Sequence, residues 1–209
     1  MAQDMHFKLE SIDVPVHCTT QCTEVIAAQG EIVPDTPHVF VQFLARHVHD
    51  RRIRTVLLLN SPGGTVQSSI VLGRLLRKLR FVTVVGQAQS TGWGSTKVGI
   101  VSGRCYSACV YTFMGGFKRV IPPGSEAGIH RAYIPAVGPD PVGSVMASGS
   151  REPRASINPD LSAGAIARFS AQMGISLGLL KQAQSVPPTS IHIITPLEAA
   201  RWHLASQKF

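Results

Sequence analysis

Short apolar runs that alternate with segments of helical period mark the central part of the chain. Thr55 to Leu59 form an unbroken run, TVLLL, typical of a strand that is buried on both faces of a parallel sheet. A similar run, Phe81 to Val85, follows the segment at about 65–80. We expect that segment to be a helix, because apolar residues recur along it at helical spacing. Its inward side would consist of Val66, Ile70, Leu72, Leu75, Leu76 and Leu79.

The segment before this region has the same alternation. Glu24 to Ile32 indicates a strand that leads into a turn, and Thr36 indicates the N-cap of an amphipathic helix over residues 37–50. Strand, helix and strand thus follow one another twice. This order predicts βαβ crossovers and an α/β fold.

The remaining elements are predicted to be shorter. Residues 1–23 have no clear period, and the Gly/Ser/Thr-rich stretch 87–103 indicates a loop. Residues 134–160 are rich in proline and glycine and indicate a long loop of the functional or disordered kind. The other predictions are a helix from Tyr106 to Met114, strands at Arg119–Ile121 and Ala127–Ala132, helices near 161–173 and 177–184, a strand at 190–194 and a helix from Pro196.

Length and composition fit a globular protein. A chain of 209 residues with 44% apolar residues suits one domain, residues 1–209, and contains no apolar run long enough to cross a bilayer. The N-terminus lacks the basic-then-apolar layout of a secretory signal, although Ala2-Gln3 after Met1 equally fits a mature secreted end behind a start codon. We therefore expect a periplasmic or secreted protein, with the cytoplasm as the alternative.

The net charge of +8 raises the question of a nucleic-acid partner. The basic residues are scattered, and aromatic residues make up only 6% of the chain. No stacking aromatics interleave with the basic residues in a recognisable nucleic-acid module. We therefore expect a solvated basic surface and no nucleic-acid partner.

The cysteines form two pairs with CxxxC spacing, and an even count favours disulfides in an oxidising compartment. Within a helix, residues 105 and 109 would have Cα atoms about 6 Å apart, which a disulfide tolerates. Pairing between the two CxxxC segments is the competing connectivity. A zinc site at His17 lacks the usual two-residue spacing, so we expect no metal and no cofactor. The disulfide candidates are Cys18, Cys22, Cys105 and Cys109.

Two glycine-bearing turns suggest acyl-transfer chemistry. Gly63 and Gly64 follow a buried strand and precede a helix, so their N–H groups suit a developing negative charge. Ser107 lies at the start of the next predicted helix, where N–H groups are also free. A serine hydroxyl needs a base within hydrogen-bond reach, and His130 is the best-placed candidate.

Three stretches of sequence resemble one protein family. LLLNSPGG at 57–64 resembles the INSPGG turn of the proteolytic subunit of the Clp protease, ClpP. The block 103–130, from GRCYSAC to EAGIH, resembles that family's serine-to-histidine block, with a similar interval between the two residues. IITPLEAARWHLAS at 193–206 resembles a helix near the family's end. The variant Cys-x-Ser-Ala-Cys is similar to a bacterial ClpP-like branch that is often predicted to be periplasmic.

The resemblance implies a fold, a site and partners. The fold would be the ClpP/crotonase-like spiral of ββα units with helices packed around parallel sheets. Ser107 would be the nucleophile and His130 the general base. The oxyanion hole would be formed by the N–H groups of Gly63 and Ala108, with Gly64 supporting the turn. The substrate would be a peptide or protein, and the chain would form a homo-oligomer.

The chain also departs from the family. No carboxylate occurs near Ser190 to His192, where the family's acidic third member is expected. Either Asp160, Glu126 or a backbone carbonyl orients His130, or the triad is degraded. The helical handle that the family uses in ring stacking is replaced by the loop 134–160. The alternatives to an active hydrolase are a non-catalytic ClpP-like scaffold and a crotonase-like acyl-CoA enzyme.

Overall fold

A computed structural model describes residues 3–12, 24–47, 53–90, 98–132 and 159–205. The strands are β1 (His6–Ser11), β2 (Glu24–Gln29), β3 (Ile53–Asn60), β4 (Val82–Val85), β5 (Gln87–Ser90), β6 (Val98–Val101), β7 (Arg104–Tyr106), β8 (Lys118–Val120), β9 (Glu126–Ile129) and β10 (His192–Ile193). The helices are α1 (Thr36–His47), α2 (Val66–Lys78), α3 (Cys109–Met114), α4 (Pro159–Gln172), α5 (Leu177–Ser185) and α6 (Pro196–Arg201).

The main sheet has the order β1-β2-β3-β4-β8. Strand β1 pairs antiparallel with β2, and every other neighbouring pair in this sheet is parallel. Helices α1 and α2 form the crossovers between β2, β3 and β4, because parallel neighbours need such a connection. The predicted α/β class, with parallel strands joined by helices, is confirmed.

The core follows from the apolar runs in the sequence. Leu57, Leu58 and Leu59 of β3 are fully buried, as expected for a strand that is covered on both faces. Phe40 of α1 and Phe113 of α3 are also fully buried and belong to the same hydrophobic cluster as Leu57 and Leu59. The described residues contain no helix with the length and apolar character that a membrane span requires.

A second sheet, of order β10-β9-β7, carries the candidate chemistry. Strand β9 pairs parallel with β7 and antiparallel with β10. A bridge between Ser61 and Cys105 joins this sheet to the end of β3. The turn after β3 and the turn after β7 are thereby held side by side.

Several sequence predictions need correction. The stretch 87–103 is not simply a loop, because β5 and β6 pair antiparallel within it, and 91–97 lies outside the described residues. The start of the chain contains β1, which alternates in burial and pairs with β2, although 13–23 lies outside the described part. The predicted loop 134–160 also lies outside it, except that α4 begins at Pro159.

Three residue-level predictions are also wrong. Tyr106 ends strand β7, and α3 begins only at Cys109. Thr36 does not cap α1 as an N-cap: the helix begins at Thr36 itself, whose hydroxyl accepts a hydrogen bond from the Val33 amide (2.9 Å). Leu79 is not inward-facing, because it follows the last turn of α2 and is 42% exposed.

Helices α2 and α3 cross at two glycines. A Cβ on Gly115 would lie 2.1 Å from the carbonyl oxygen of Gly73 and 2.4 Å from its Cα atom. No side chain therefore separates the two helices at this point. Helix α2 follows the Gly63-Gly64 turn and α3 follows Ser107, so this contact joins the two helices that come after these turns.

We predict that Gly115→Ala destabilises the protein. The new methyl group would overlap the Gly73 carbonyl, and forced overpacking typically costs about 1–3 kcal/mol. The matched control is Gly164→Ala in α4, where the nearest atom is the movable Arg168 guanidinium at 3.3 Å. That variant should be unchanged or more stable by up to about 1 kcal/mol. Urea unfolding measures both variants, and equal stabilities would contradict the close crossing.

Candidate active site

Ser107 lies in a sharp turn between β7 and α3. Its φ angle is +54°, a left-handed backbone that residues other than glycine rarely adopt. The Ser107 amide donates to the Gly128 carbonyl (2.8 Å), and the Ser107 carbonyl accepts from the Val110 amide (3.1 Å). Such a backbone costs of order 1–3 kcal/mol and persists where the surrounding structure holds it, often at functional sites. The side chain is half-buried.

A disulfide between Cys105 and Cys109 brackets this turn. Both cysteines are fully buried, one in β7 and the other at the first position of α3, with Cα atoms 5.2 Å apart. The predicted bridge is confirmed, although the segment is a strand and a turn rather than a helix. A bond from either residue to Cys18 or Cys22 is therefore excluded. Cys18, Cys22 and the zinc ligand candidate His17 lie outside the described residues.

The glycine turn after β3 packs directly against Ser107. Gly63 has a φ angle of +112°, and a Cβ there would lie 2.9 Å from the Cβ atom of Ser107 and 3.1 Å from the Ala108 nitrogen. The same Cβ would lie 2.7 Å from the Tyr106 carbonyl oxygen. Only glycine permits this backbone at this separation. The two turns that the sequence singles out therefore meet.

The amides around Ser107 differ in their partners. The Gly63 amide donates to the hydroxyl of Ser61 (3.1 Å), a residue that is 2% exposed. The amides of Gly64 and Ala108 make no hydrogen bond to any described residue. Sequence reasoning missed the role of Ser61, although its place just before the Pro-Gly-Gly turn marks it as a turn-stabilising side chain.

His130 follows the last residue of β9 and is half-buried. Its Nδ1 atom is 2.8 Å from the Arg131 carbonyl oxygen. A carbonyl oxygen can only accept, so Nδ1 donates this hydrogen bond, and the neutral tautomer with its proton on Nδ1 has its lone pair on Nε2. Within the described residues, no hydrogen bond joins the Ser107 hydroxyl to His130.

The orienting partner of His130 is thus a backbone carbonyl, one of the three possibilities that the sequence left open. Glu126 is not that partner, because it accepts a hydrogen bond from the Tyr106 hydroxyl and lies 4.0 Å from Arg104 Nε. Asp160 lies in α4, with its side chain outside the described part. Burial, and then the bond to Glu126, raise the pKa of Tyr106 above its usual value.

His192 and Glu198 anchor the edge of the second sheet. His192 pairs with Ile129 across β10 and β9, and its Nε2 is 2.9 Å from a Glu198 carboxylate oxygen. The other carboxylate oxygen accepts from the Thr195 amide and hydroxyl, both at 2.9 Å. Burial alone would raise the pKa of Glu198, but these hydrogen bonds outweigh it and hold the pKa below its usual value.

No protein-family model and no curated protein matches the chain. Two solved structures of the 1510-N membrane-bound stomatin-specific protease are similar to it, each with a TM-score of 0.52. One is a serine-to-alanine mutant that is 16% identical, and the match covers 86% of this chain and 75% of that chain. The other is a lysine-to-alanine mutant in complex with a substrate peptide, with 18% identity over 87% of this chain and 72% of that chain.

At such identities the likeness shows the fold alone. It confirms the predicted fold class, because the solved proteases share this α/β arrangement over most of both chains. The roles of Ser107 and His130, and the periplasmic branch, stay predictions.

We predict that Glu198→Gln lowers stability near neutral pH and that this difference disappears in acid. The folded-state pKa of Glu198 is depressed, so its contribution is present above the ordinary value of 4.5 and is lost as the pH falls through the folded pKa. Urea unfolding of both proteins between neutral and acidic pH measures the difference. A difference that stays constant across this range would contradict the assignment.

We also predict that the double variant Cys105→Ala/Cys109→Ala is less stable than the unmodified protein. Opening a ring of this size removes about 2 kcal/mol in the chain-entropy description and frees the strained turn. Thermal unfolding measures the loss. The control, Cys18→Ala/Cys22→Ala, keeps the bridge, so a dithiol reductant should lower its Tm by a similar amount. An unchanged Tm in the double variant would show that the bridge does not stabilise the turn.

Proposed function

We propose that the chain is a serine hydrolase, a peptidase with Ser107 as nucleophile and His130 as general base. The observation that carries this proposal is the left-handed turn at Ser107, which lies against the Gly63 turn. A serine held on a strained strand-to-helix turn exposes its hydroxyl while the amide that follows it can serve as an oxyanion donor. Ala108 occupies that following position, and its amide has no partner among the described residues.

The reaction would proceed by acyl transfer. His130 Nε2 takes the proton as Ser107 Oγ bonds to the substrate carbonyl carbon, and the C–O π electrons move onto the carbonyl oxygen. The tetrahedral intermediate collapses with release of the amine, which receives that proton from His130. Water then repeats the sequence on the acyl-enzyme and restores Ser107.

The oxyanion needs two aligned donors. The sequence assigns them to Gly63 and Ala108, but the Gly63 amide is engaged by Ser61. We therefore propose Gly64 and Ala108 as the donors, with Ser61 fixing the turn through Gly63. Gly64 has a φ angle of +132°, and its amide makes no hydrogen bond to a described residue. Removing one such donor typically lowers kcat by about 10²–10³-fold.

An orienting carboxylate fixes the histidine ring and stabilises the imidazolium, and the Arg131 carbonyl would perform only the first of these two tasks. It fixes the ring and places the proton on Nδ1, which is the tautomer that a base at Nε2 requires. A neutral carbonyl does not supply the negative charge that stabilises an imidazolium. We therefore expect slower turnover than in a complete triad, because the imidazolium that forms in the reaction has no carboxylate to stabilise it.

We further propose a peptide or protein substrate, an oxidising compartment and a homo-oligomer. A solved relative in fold is bound to a substrate peptide, which supports the substrate class. The disulfide within β7 and α3 supports the periplasm or another extracytoplasmic site, because such bonds persist under oxidising conditions. Oligomerisation rests on the family resemblance alone.

A non-catalytic scaffold is the second candidate. The observation that favours it is the lack of a hydrogen bond between Ser107 and His130 in the described residues, together with the lack of a carboxylate on the His130 ring. Catalytic hydrogen bonds are often longer in the absence of substrate, so this geometry does not contradict the serine hydrolase proposal. Thermal stabilisation by acyl-CoA would instead indicate the crotonase-like alternative.

We predict that a serine-directed fluorophosphonate labels the protein and that Ser107→Ala abolishes the labelling. His130→Ala should slow labelling by roughly 10²–10⁴-fold, the usual contribution of a general base. The readout is the labelling rate, measured by intact mass.

Two matched controls accompany this experiment. Ser185→Ala removes an exposed hydroxyl that donates to Gln182, and His38→Ala removes an exposed imidazole that contacts Gln42. Both should label like the unmodified protein. No labelling of any variant would favour the scaffold, and labelling that persists in Ser107→Ala would contradict the assignment of Ser107 as the nucleophile.

A further inference from the structure

A cavity of about 360 Å³ adjoins the candidate active site. Its lining includes Pro62 and Tyr106, which immediately precede Gly63 and Ser107. It also includes Gln29 and Asn60, the last residues of the parallel strands β2 and β3. The carboxyl ends of such strands are the usual ligand-binding edge of an α/β sheet, and the volume falls within the ~300–1,000 Å³ that is typical of ligand pockets.

The lining of this cavity is cationic. Arg104 and His6 contribute basic groups, and no described Asp or Glu side chain lines it. The Arg104 side chain is 72% exposed and makes no hydrogen bond to a described residue. Its nearest carboxylate is that of Glu126, 4.0 Å from Nε, which already accepts the Tyr106 hydroxyl. The guanidinium therefore keeps its paired N–H groups for a second carboxylate.

The wall that carries Arg104 is held in place by hydrogen bonds. Asn60 Oδ1 accepts from the Arg104 amide (3.0 Å), and Asn60 Nδ2 donates to the Gln87 side chain (2.9 Å). The Ser61 amide also donates to the Arg104 carbonyl (2.7 Å). The backbone of Arg104 is thus fixed against the strand end that leads into the glycine turn, so the base of this side chain is held beside the cavity before a ligand arrives.

We propose that this cavity is a substrate subsite that binds a carboxylate through Arg104. The carboxylate belongs to a peptide and is either an acidic side chain or a free C-terminus. The inference rests on the proposed function, because it assigns the cavity to a substrate whose scissile bond lies at Ser107. It adds a preference for anionic peptides, which the net charge of +8 also favours by long-range attraction.

The experiment measures binding in the Ser107→Ala variant, which removes any dependence on hydrolysis. Three fluorescent peptides of equal length are compared by polarisation: one with an internal Asp and an amidated end, one neutral with a free C-terminus, and one neutral and amidated. We expect a carboxylate-bearing peptide to bind at least about tenfold more tightly than the neutral amidated one, as suits a charge-assisted hydrogen bond. The first two peptides distinguish a side-chain carboxylate from a terminal one.

Substitutions at Arg104 then test the assignment. Added to Ser107→Ala, Arg104→Ala should remove that preference, and Arg104→Lys should restore only part of it, because lysine lacks the planar fork. The matched control is Arg201→Ala, which makes the same change in net charge at an exposed position in α6 that does not line the cavity. Thermal unfolding confirms that each variant is folded.

The outcomes separate this inference from the proposed function. Equal binding of all three peptides, no binding of any, or an equal loss in Arg201→Ala would overturn the subsite, whether or not the unmodified protein is labelled by a fluorophosphonate. Arg104-dependent binding together with no labelling at Ser107 would overturn the hydrolase and leave a carboxylate-binding site on a scaffold.

Discussion

The contact between Gly73 and Gly115 brings helices α2 and α3 to a distance that only glycine permits. Helix α2 begins just after the Gly63-Gly64 turn and α3 begins just after Ser107, so the contact joins the helices that follow two turns far apart in sequence, and these turns also touch directly at Gly63 and Ser107. The bridge between Ser61 and Cys105 fixes the same pair of segments from the sheet side. The helix contact exists because these glycines have no side chain, and a Cβ on Gly115 would overlap the Gly73 backbone.

Around Ser107 the backbone supplies most of the candidate chemistry. The groups that would stabilise negative charge are amides, and the group that orients His130 is the Arg131 carbonyl. Side chains support this backbone. The Ser61 hydroxyl accepts a hydrogen bond from the Gly63 amide, and the Cys105–Cys109 disulfide links the residues on either side of the Ser107 turn. A site built from main-chain groups depends on backbone geometry more than on any one residue type. The Ser61 hydrogen bond and the Cys105–Cys109 disulfide both restrict that geometry.

The sequence predicts the elements that have a strong period and misses those that depend on tertiary pairing. The apolar run at Leu57–Leu59 and the helical repeat of α2 are visible because burial imposes them. The sequence pattern does not predict the β5–β6 hairpin, because its Gly/Ser/Thr composition resembles that of a loop. The pairing of the two strands is visible only in the fold. The sequence pattern predicts a start of α3 that is three residues too early, because the left-handed angle at Ser107 has no signature in a residue that is not glycine. The sequence leaves a backbone carbonyl open as the partner of His130 but cannot identify that of Arg131, because every residue carries a carbonyl group and only the folded backbone selects one.

The left-handed backbone at Ser107 also restricts which nucleophiles this turn can accept. Threonine carries two heavy atoms on Cβ, and β-branched residues are genuine outliers at positive φ. The Gly63 turn also lies close to the Ser107 Cβ atom. A thiol in place of the hydroxyl adds no branch, so cysteine fits this backbone better than threonine does.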